Sequence, residues 1–442
     1  MNKMISMIAA AALAVSCFSC SDDKKKKEEP KPTDTAVNED TGDTPINSDN
    51  TTVYRILSED DFKTIEVSLS YPDREPPVNV SYVDLSGLDF GSKVPICNKA
   101  ENVESYYSND NGIPDDLEYD WSLCKDRAEK GAARNCYTYG SKCYIVVEYR
   151  AAFARSFDFS LFQYDESSGK NEEIYSWSSK NIDEVLMDIP FFANGKMFYS
   201  IYNTNDMTSK IYSYDLNSGD IKSVYEIGSF DSPIMVRHDD NGYPMIIMYD
   251  MDFKVTGTLH YEADTERFIS NKTGDLGGEV FSNDVFNGVP FYLVVPEDTQ
   301  KLDMVSDYYR VSLSYIGGDI VYGDDKMFIV KNFTLLHMYD LEKMEHYILD
   351  IEDMGDKAVY SGGFVFLCSI YRDYESPVHC IKPDMGIVYP IADVSECTDI
   401  SSYDGKVLFN NMKIETEDKE LESGGLFYGS VKMEKAYTVT VK

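Results

Sequence analysis

The sequence predicts an all-β chain, a β-propeller, on three observations. A hairpin recurs, its copies lie about 40 to 50 residues apart, and tyrosine dominates the aromatic residues. The hairpin is a strand ending in tyrosine, an acidic turn with glycine, and a second strand. It is read at 80–87 (VSYVDLSG), 161–169 (LFQYDESSG) and 211–219 (IYSYDLNSG), and without the glycine at Leu336-His337-Met338-Tyr339-Asp340-Leu341. Asp bonds its own backbone in a tight turn, and Gly tolerates positive φ there. Further strand pairs are announced by Asn194-Gly195, Asp324-Asp325 and Asp404-Gly405. Hairpin markers fall near 165, 215, 262, 340, 382 and 428, with one gap of double length. That is the period of four-stranded blades; seven blades are preferred, with six and eight also compatible. A β-sandwich array, the competing fold, would show no such period. The 34 Tyr and 22 Phe against 2 Trp suit half-buried pleated surfaces.

The start of the chain differs from the rest. Lys3 precedes an apolar, alanine-rich run over 4–15, too short for the ~20 residues that span a bilayer but suited to a secretory leader. Small residues then meet a cysteine twice, in Ala14-Val15-Ser16-Cys17 and Cys17-Phe18-Ser19-Cys20. This resembles the lipobox of bacterial lipoproteins, whose cysteine carries a diacylglycerol. Cys17 is the preferred anchor, because Leu13 and Ala14 fit the upstream slots. Cys20 is the alternative, because Cys20-Ser21-Asp22-Asp23 is similar to an acidic surface-export signal. The resemblance implies a signal peptide and anchor over 1–20 and a cell-envelope address, at the outer membrane and exposed at the surface. Residues 21–50 mix lysines, acids, prolines and small polar residues, with Ala36, Val37 and Ile46 as their only aliphatics. Such a segment buries too little to offset its ordering entropy, so it is expected to be a disordered tether.

The propeller-like domain is expected over 51–442. Within it, 115–134 has helix-like spacing (Leu117, Trp121, Leu123, Ala128) and few strand formers. Bracketed by Cys97, Cys124, Cys136 and Cys143, it reads as a small helical insertion within about 97–143. From residue 52 onward the hairpins resemble those of bacterial lipoproteins with Y-x-D-L-x-S-G turns. The chain lacks the Trp-Asp blade ending of WD40 repeats and the paired glycines of kelch repeats, so no named family follows.

A net charge of −36 excludes nucleic acid as a partner, since the chain repels phosphate backbones. Asn109-Asp110-Asn111-Gly112-Ile113-Pro114-Asp115-Asp116-Leu117-Glu118 resembles calcium loops. Its weak calcium candidates are Asn109, Asn111, Asp115 and Glu118, but Tyr107 occupies the first ligand position, and a polar turn capping a helix accounts for it better. No cofactor is expected, with calcium the one ion considered. His337 and His346 flank the Tyr339-Asp340 hairpin at a spacing a metal could use, although such pairs are usually plain cross-strand neighbours. His238-Asp239-Asp240-Asn241-Gly242 reads as a turn. Folding 364–370 against 378–381 around Tyr374 places Cys368 opposite Cys380, a disulfide candidate in an oxidising compartment.

The sequence contains no nucleophile elbow, metalloprotease helix or phosphate loop. Two function classes remain: a surface module that docks a glycan or protein, and a carbohydrate-active hydrolase of propeller type, whose catalytic residues the sequence does not single out.

Overall fold

The computed structural model describes residues 54–99, 101, 125–149, 158–179, 184–186, 189–203, 205, 208–227, 234–239, 241–249, 255–271, 276–296, 299, 301–315, 317–352, 354–369, 378–392, 394, 397, 399–403, 405–416 and 429–442. The anchor cysteines Cys17 and Cys20, the tether and the calcium candidates Asn109, Asn111, Asp115 and Glu118 lie outside them.

The described residues build a seven-bladed propeller. Blade 1 is Ala132–Tyr139, Lys142–Tyr149, Asp158–Asp165 and Lys170–Trp177. Blade 2 has a split first strand, Glu184–Leu186 and Phe191–Ala193, then Lys196–Asn203, Thr208–Asp215 and Ile221–Ile227. Blade 3 is Ile234–His238, Pro244–Tyr249, Val255–Glu262 and Arg267–Asn271. Blade 4 is Gly278–Phe286, Val289–Pro296, Asp303–Ser306 and Tyr309–Ser312. Blade 5 is Asp319–Gly323, Met327–Asn332, Leu335–Asp340 and Glu345–Asp350. Blade 6 is Lys357–Ser361, Phe364–Cys368, Val378–Lys382 and Ile387–Ile391. Blade 7 is Asp399–Tyr403, Lys406–Thr416 and Gly429–Val441, and its fourth strand is Val78–Asp84 from near the start of the chain. First strands of successive blades touch across blades 4 to 7, which places them on the inner side of the ring.

Each blade is buried on both faces by its neighbours, which explains the continuous apolar runs of the second strands. In Met327–Asn332, Phe328 and Val330 join a core cluster with Phe291 and Leu293 of blade 4, while Ile329 points into a cluster with Val365 and Leu367 of blade 6. Each such side chain contributes roughly 1.5–3 kcal/mol on burial. Aromatics fill the wide spaces between blades: Phe159 meets Tyr199 edge-on between blades 1 and 2, and Phe198 meets Tyr261 edge-on between blades 2 and 3.

The acidic turns do the work their chemistry predicts. The Oδ1 of Asp165 accepts from the Ser167 amide, that of Asp215 from Asn217 and Ser218, and that of Asp340 from Glu342 and Lys343. At Asn194-Gly195 both residues take positive φ (43° and 74°), as a two-residue hairpin of matching twist requires.

Residues 54–84 form a belt around part of the rim. Arg55–Ser58 adds a parallel fifth strand to blade 4, and Lys63–Val67 does the same for blade 5. Ser70 bridges the last strand of blade 6, donating to Gly386 and accepting from Val388, each at 2.8 Å. The belt then enters blade 7 as its outer strand, closing the ring with chain from both ends.

Three expectations differ from this structure. The segment 80–87 makes its Asx turn, Asp84 accepting from the Ser86 amide at 3.0 Å, but forms no hairpin, because Val78–Asp84 pairs instead with Gly429–Val441. Within the stretch read as helical, 115–124 is outside the described residues and 129–134 is extended. Glu129–Lys130 pairs with Ser92–Lys93, and Ala132–Tyr139 is the first strand of blade 1, so cross-strand pairing decides the conformation of the stretch after 128. In blade 6 the register sets Cys380 opposite Phe366, two residues from the register that opposes Cys368 and Cys380. The two cysteines are diagonal on one face, which removes the opposed geometry their disulfide relied on.

Candidate functional site

The inner wall at blades 1, 2, 3 and 7 forms a pocket of about 40 Å³. It is lined mainly by Asn135, Cys136 and Tyr137, by Phe191, by His238 and by Ser401. Each comes from a first strand, which brings it to the inner side of its blade. Tyr137 stacks on Phe192 with centroids 5.0 Å apart, and its hydroxyl accepts from the Gly195 amide at 3.3 Å. Asn135 donates to the Pro190 carbonyl at 3.0 Å, tying blade 1 to blade 2. The His238 ring lies 5.4 Å from that of Phe191, so the segment read only as a turn contributes a polar ring to the wall. Asp239 behind it serves the turn, accepting from the Asn241 and Tyr243 amides. Among the described residues no carboxylate lines the pocket, and its volume suits a few water molecules rather than a sugar ring.

Buried carboxylates occur elsewhere. Glu148 pairs with Arg134 at 2.8 Å. Asp158 accepts from the Ser178 hydroxyl at 2.9 Å, and burial pushes its carboxyl above the usual range. Asp303 holds Arg310 at 2.6 Å. The sulfurs of Cys136 and Cys143 lie 3.0 Å apart in the core, and that contact together with burial pushes the Cys136 thiol well up.

The second grouping is one the sequence only half revealed. His337 and His346 lie on the third and fourth strands of blade 5, on the face toward blade 4, and both are buried, at 4% and 1% exposure. The register opposes Tyr339 to His346 and leaves His337 diagonal to it, so the Nδ1 of His337 meets the Nε2 of His346 at 3.0 Å. The third member, Glu59, comes from the belt, where it crosses from blade 4 to blade 5. Its Oε1 lies 3.3 Å from the Nδ1 of His346 and accepts from the Tyr339 hydroxyl at 2.7 Å. Its Oε2 accepts from the Ser314 amide at 2.8 Å. Burial pushes the Glu59 carboxyl up, but these hydrogen bonds and the nearby imidazole outweigh it and hold it below the usual range. Burial, helped by His346, pushes His337 down to about 4, and burial also lowers His346. Sequence reading missed Glu59 because nothing local marks a residue of the short turn Glu59–Asp61 as the neighbour of a hairpin far along the chain.

No family model and no curated protein matches the chain. Among solved structures, an acylaminoacyl peptidase from Pyrococcus horikoshii aligns at 12% identity with a TM-score of 0.43, covering 69% of this chain and 51% of that one. This chain therefore spans about half the length of that peptidase. The β-propeller domain of the Trilobed protease from Pyrococcus furiosus aligns at 12% identity and a TM-score of 0.41, covering 68% of this chain and 92% of that one. Saccharomyces cerevisiae Sqt1 aligns at 8% identity and a TM-score of 0.36, covering 68% and 81%. No helix among the described residues is long and apolar enough to cross a membrane.

Proposed function

We propose that this chain is a lipid-anchored docking module of the cell envelope, exposed at the outer membrane, which binds a glycan or a protein through one rim of its propeller. The observation that carries the reading is the inequality of the two rims. Connections from first to second strand close in tight turns, such as Gly140-Ser141, Asn194-Gly195, Asn287-Gly288 and Gly362-Gly363. Connections from second to third strand leave from the opposite rim and are long in blades 1, 6 and 7, spanning 150–157, 369–377 and 417–428. The ring holds its strands rigidly, and sequence placed between strands at one rim can vary without cost to the core. Among the described residues the pocket on the inner wall is lined without carboxylates, which supports binding over hydrolysis. The leader, the Cys17 anchor with Cys20 as its alternative, and the tether supply the address.

The test is to replace 369–377 with a Gly/Ser linker of equal length in the full mature chain, then compare both proteins on a glycan array and against purified envelope proteins. Binding by the parent, lost in the variant at unchanged stability, is the expected result. A screen over polysaccharides that finds turnover abolished by Asp158→Asn or Glu148→Gln would establish the hydrolase alternative instead.

A further inference from the structure

The belt crossing holds a donor set that the docking reading does not use. We propose that Glu59, His337 and His346 form a site for a divalent transition-metal ion of the zinc class, which fastens the belt to blade 5. Two imidazoles and a carboxylate are a donor set that zinc accepts, with one position left for water or another oxygen. Each residue offers a ligand atom within 4.8 Å of the other two, and among the described residues this is the one grouping of three such donors. The 3.0 Å between His337 Nδ1 and His346 Nε2 is close to the ligand–ligand edge of roughly 3.3 Å set by tetrahedral zinc–nitrogen bonds.

The Glu59 oxygen lies 3.3 Å from the Nδ1 of His346, so the belt carboxylate reaches the histidine pair directly. The donors are also held in place. Tyr315 stacks on the His337 ring at 4.3 Å and Tyr339 on the His346 ring at 4.0 Å, while the Tyr339 hydroxyl and the Ser314 amide orient the Glu59 carboxylate. Such outer contacts fix ligand orientation in known sites. One ligand arrives from residue 59 and two from a hairpin far along the chain. Metal binding would therefore couple directly to belt docking.

The experiment uses the full mature chain without a histidine tag, stripped of metal by a chelator. Zinc is added, excess is removed by gel filtration, and retained metal is counted by mass spectrometry. Cobalt(II) in its place reports coordination by its visible absorption. The expected result is one zinc per chain, a higher unfolding temperature with zinc, and tetrahedral cobalt bands. His346→Gln and Glu59→Gln should lose all three responses, with circular dichroism checking that each variant folds. A parent chain that retains no zinc and unfolds at the same temperature with and without it overturns the proposal, whatever the variants do. So does zinc retained equally by the parent and both folded variants, which would place the ion elsewhere.

Discussion

The belted and open halves of the ring manage the same liability in different ways. An outer strand presents unpaired amides and carbonyls that invite further pairing. In blades 4 and 5 the belt pairs with that edge, and the outer strands beneath it, Tyr309–Ser312 and Glu345–Asp350, are largely buried. Among the described residues nothing pairs with the outer strands of blades 1 to 3. Those edges carry charge instead: Lys170 meets Glu172 at 2.6 Å, and Lys222 meets Glu266 at 3.0 Å. The Lys170–Trp177 strand is mostly exposed or half-buried as a result. A covered edge lets the sequence bury aromatic and imidazole groups at the rim, whereas an open edge must stay polar.

This contrast can be broken at its anchor. Phe62 is buried where the belt crosses to blade 5, 6% exposed and edge-on to Tyr339 at 5.4 Å. Phe62→Ala should cost about 3 kcal/mol in chemical unfolding, since it opens a cavity under the belt. A cost below 1 kcal/mol would mean that the belt contributes little to stability. A smaller loss is expected at Gly386, where φ is +64° and an added Cβ would meet the Ser68 carbonyl oxygen at 2.4 Å and the Val67 side chain at 2.7 Å. Gly386→Ala should destabilise by ~2 kcal/mol and speed proteolysis within 63–70, as the belt is pushed off blade 6. Cleavage unchanged from the parent would contradict the close approach.

In the open half, Asp158 gives a pH signature. Burial raises its folded-state carboxyl above its unfolded value, so its stability contribution is complete below the unfolded pKa and is lost as pH rises through the folded one. Asp158→Asn should therefore match the parent in acid and gain about 1 kcal/mol at neutral pH. Equal stability at both pH values would show that burial does not govern this group. The smallest effect is expected on the open edge itself. Ile221 is 49% exposed there, and Ile221→Thr should change stability by less than about 0.5 kcal/mol.

What the sequence disclosed follows the range of the interactions. The blade period and the acidic turns are local, so Asp165, Asp215 and Asp340 could be read directly and fill the same role in the structure. Asp84 shows the limit of that reading: its turn forms, yet its strand pairs with residues more than 300 positions away. The belt escaped notice for the same reason. Its partners are fixed by the closed ring, and no periodicity in 54–84 records them. The cysteine register failed for a different reason. A two-residue slip keeps every inward side chain inward, so patterning alone could not separate Cys380 opposite Phe366 from Cys380 opposite Cys368. The histidine pair was visible in the hairpin, but its burial and its third partner depended on the belt.

The most direct test of the two-halves account is amide hydrogen exchange on the outer strands. The account predicts slow exchange throughout Tyr309–Ser312 and Glu345–Asp350, where both edges are paired, and fast exchange at alternate amides of Lys170–Trp177, Ile221–Ile227 and Arg267–Asn271. Phe62→Ala should bring the first group to the rates of the second. Equal protection of the two groups in the parent protein would contradict the belt as the structural distinction between the halves.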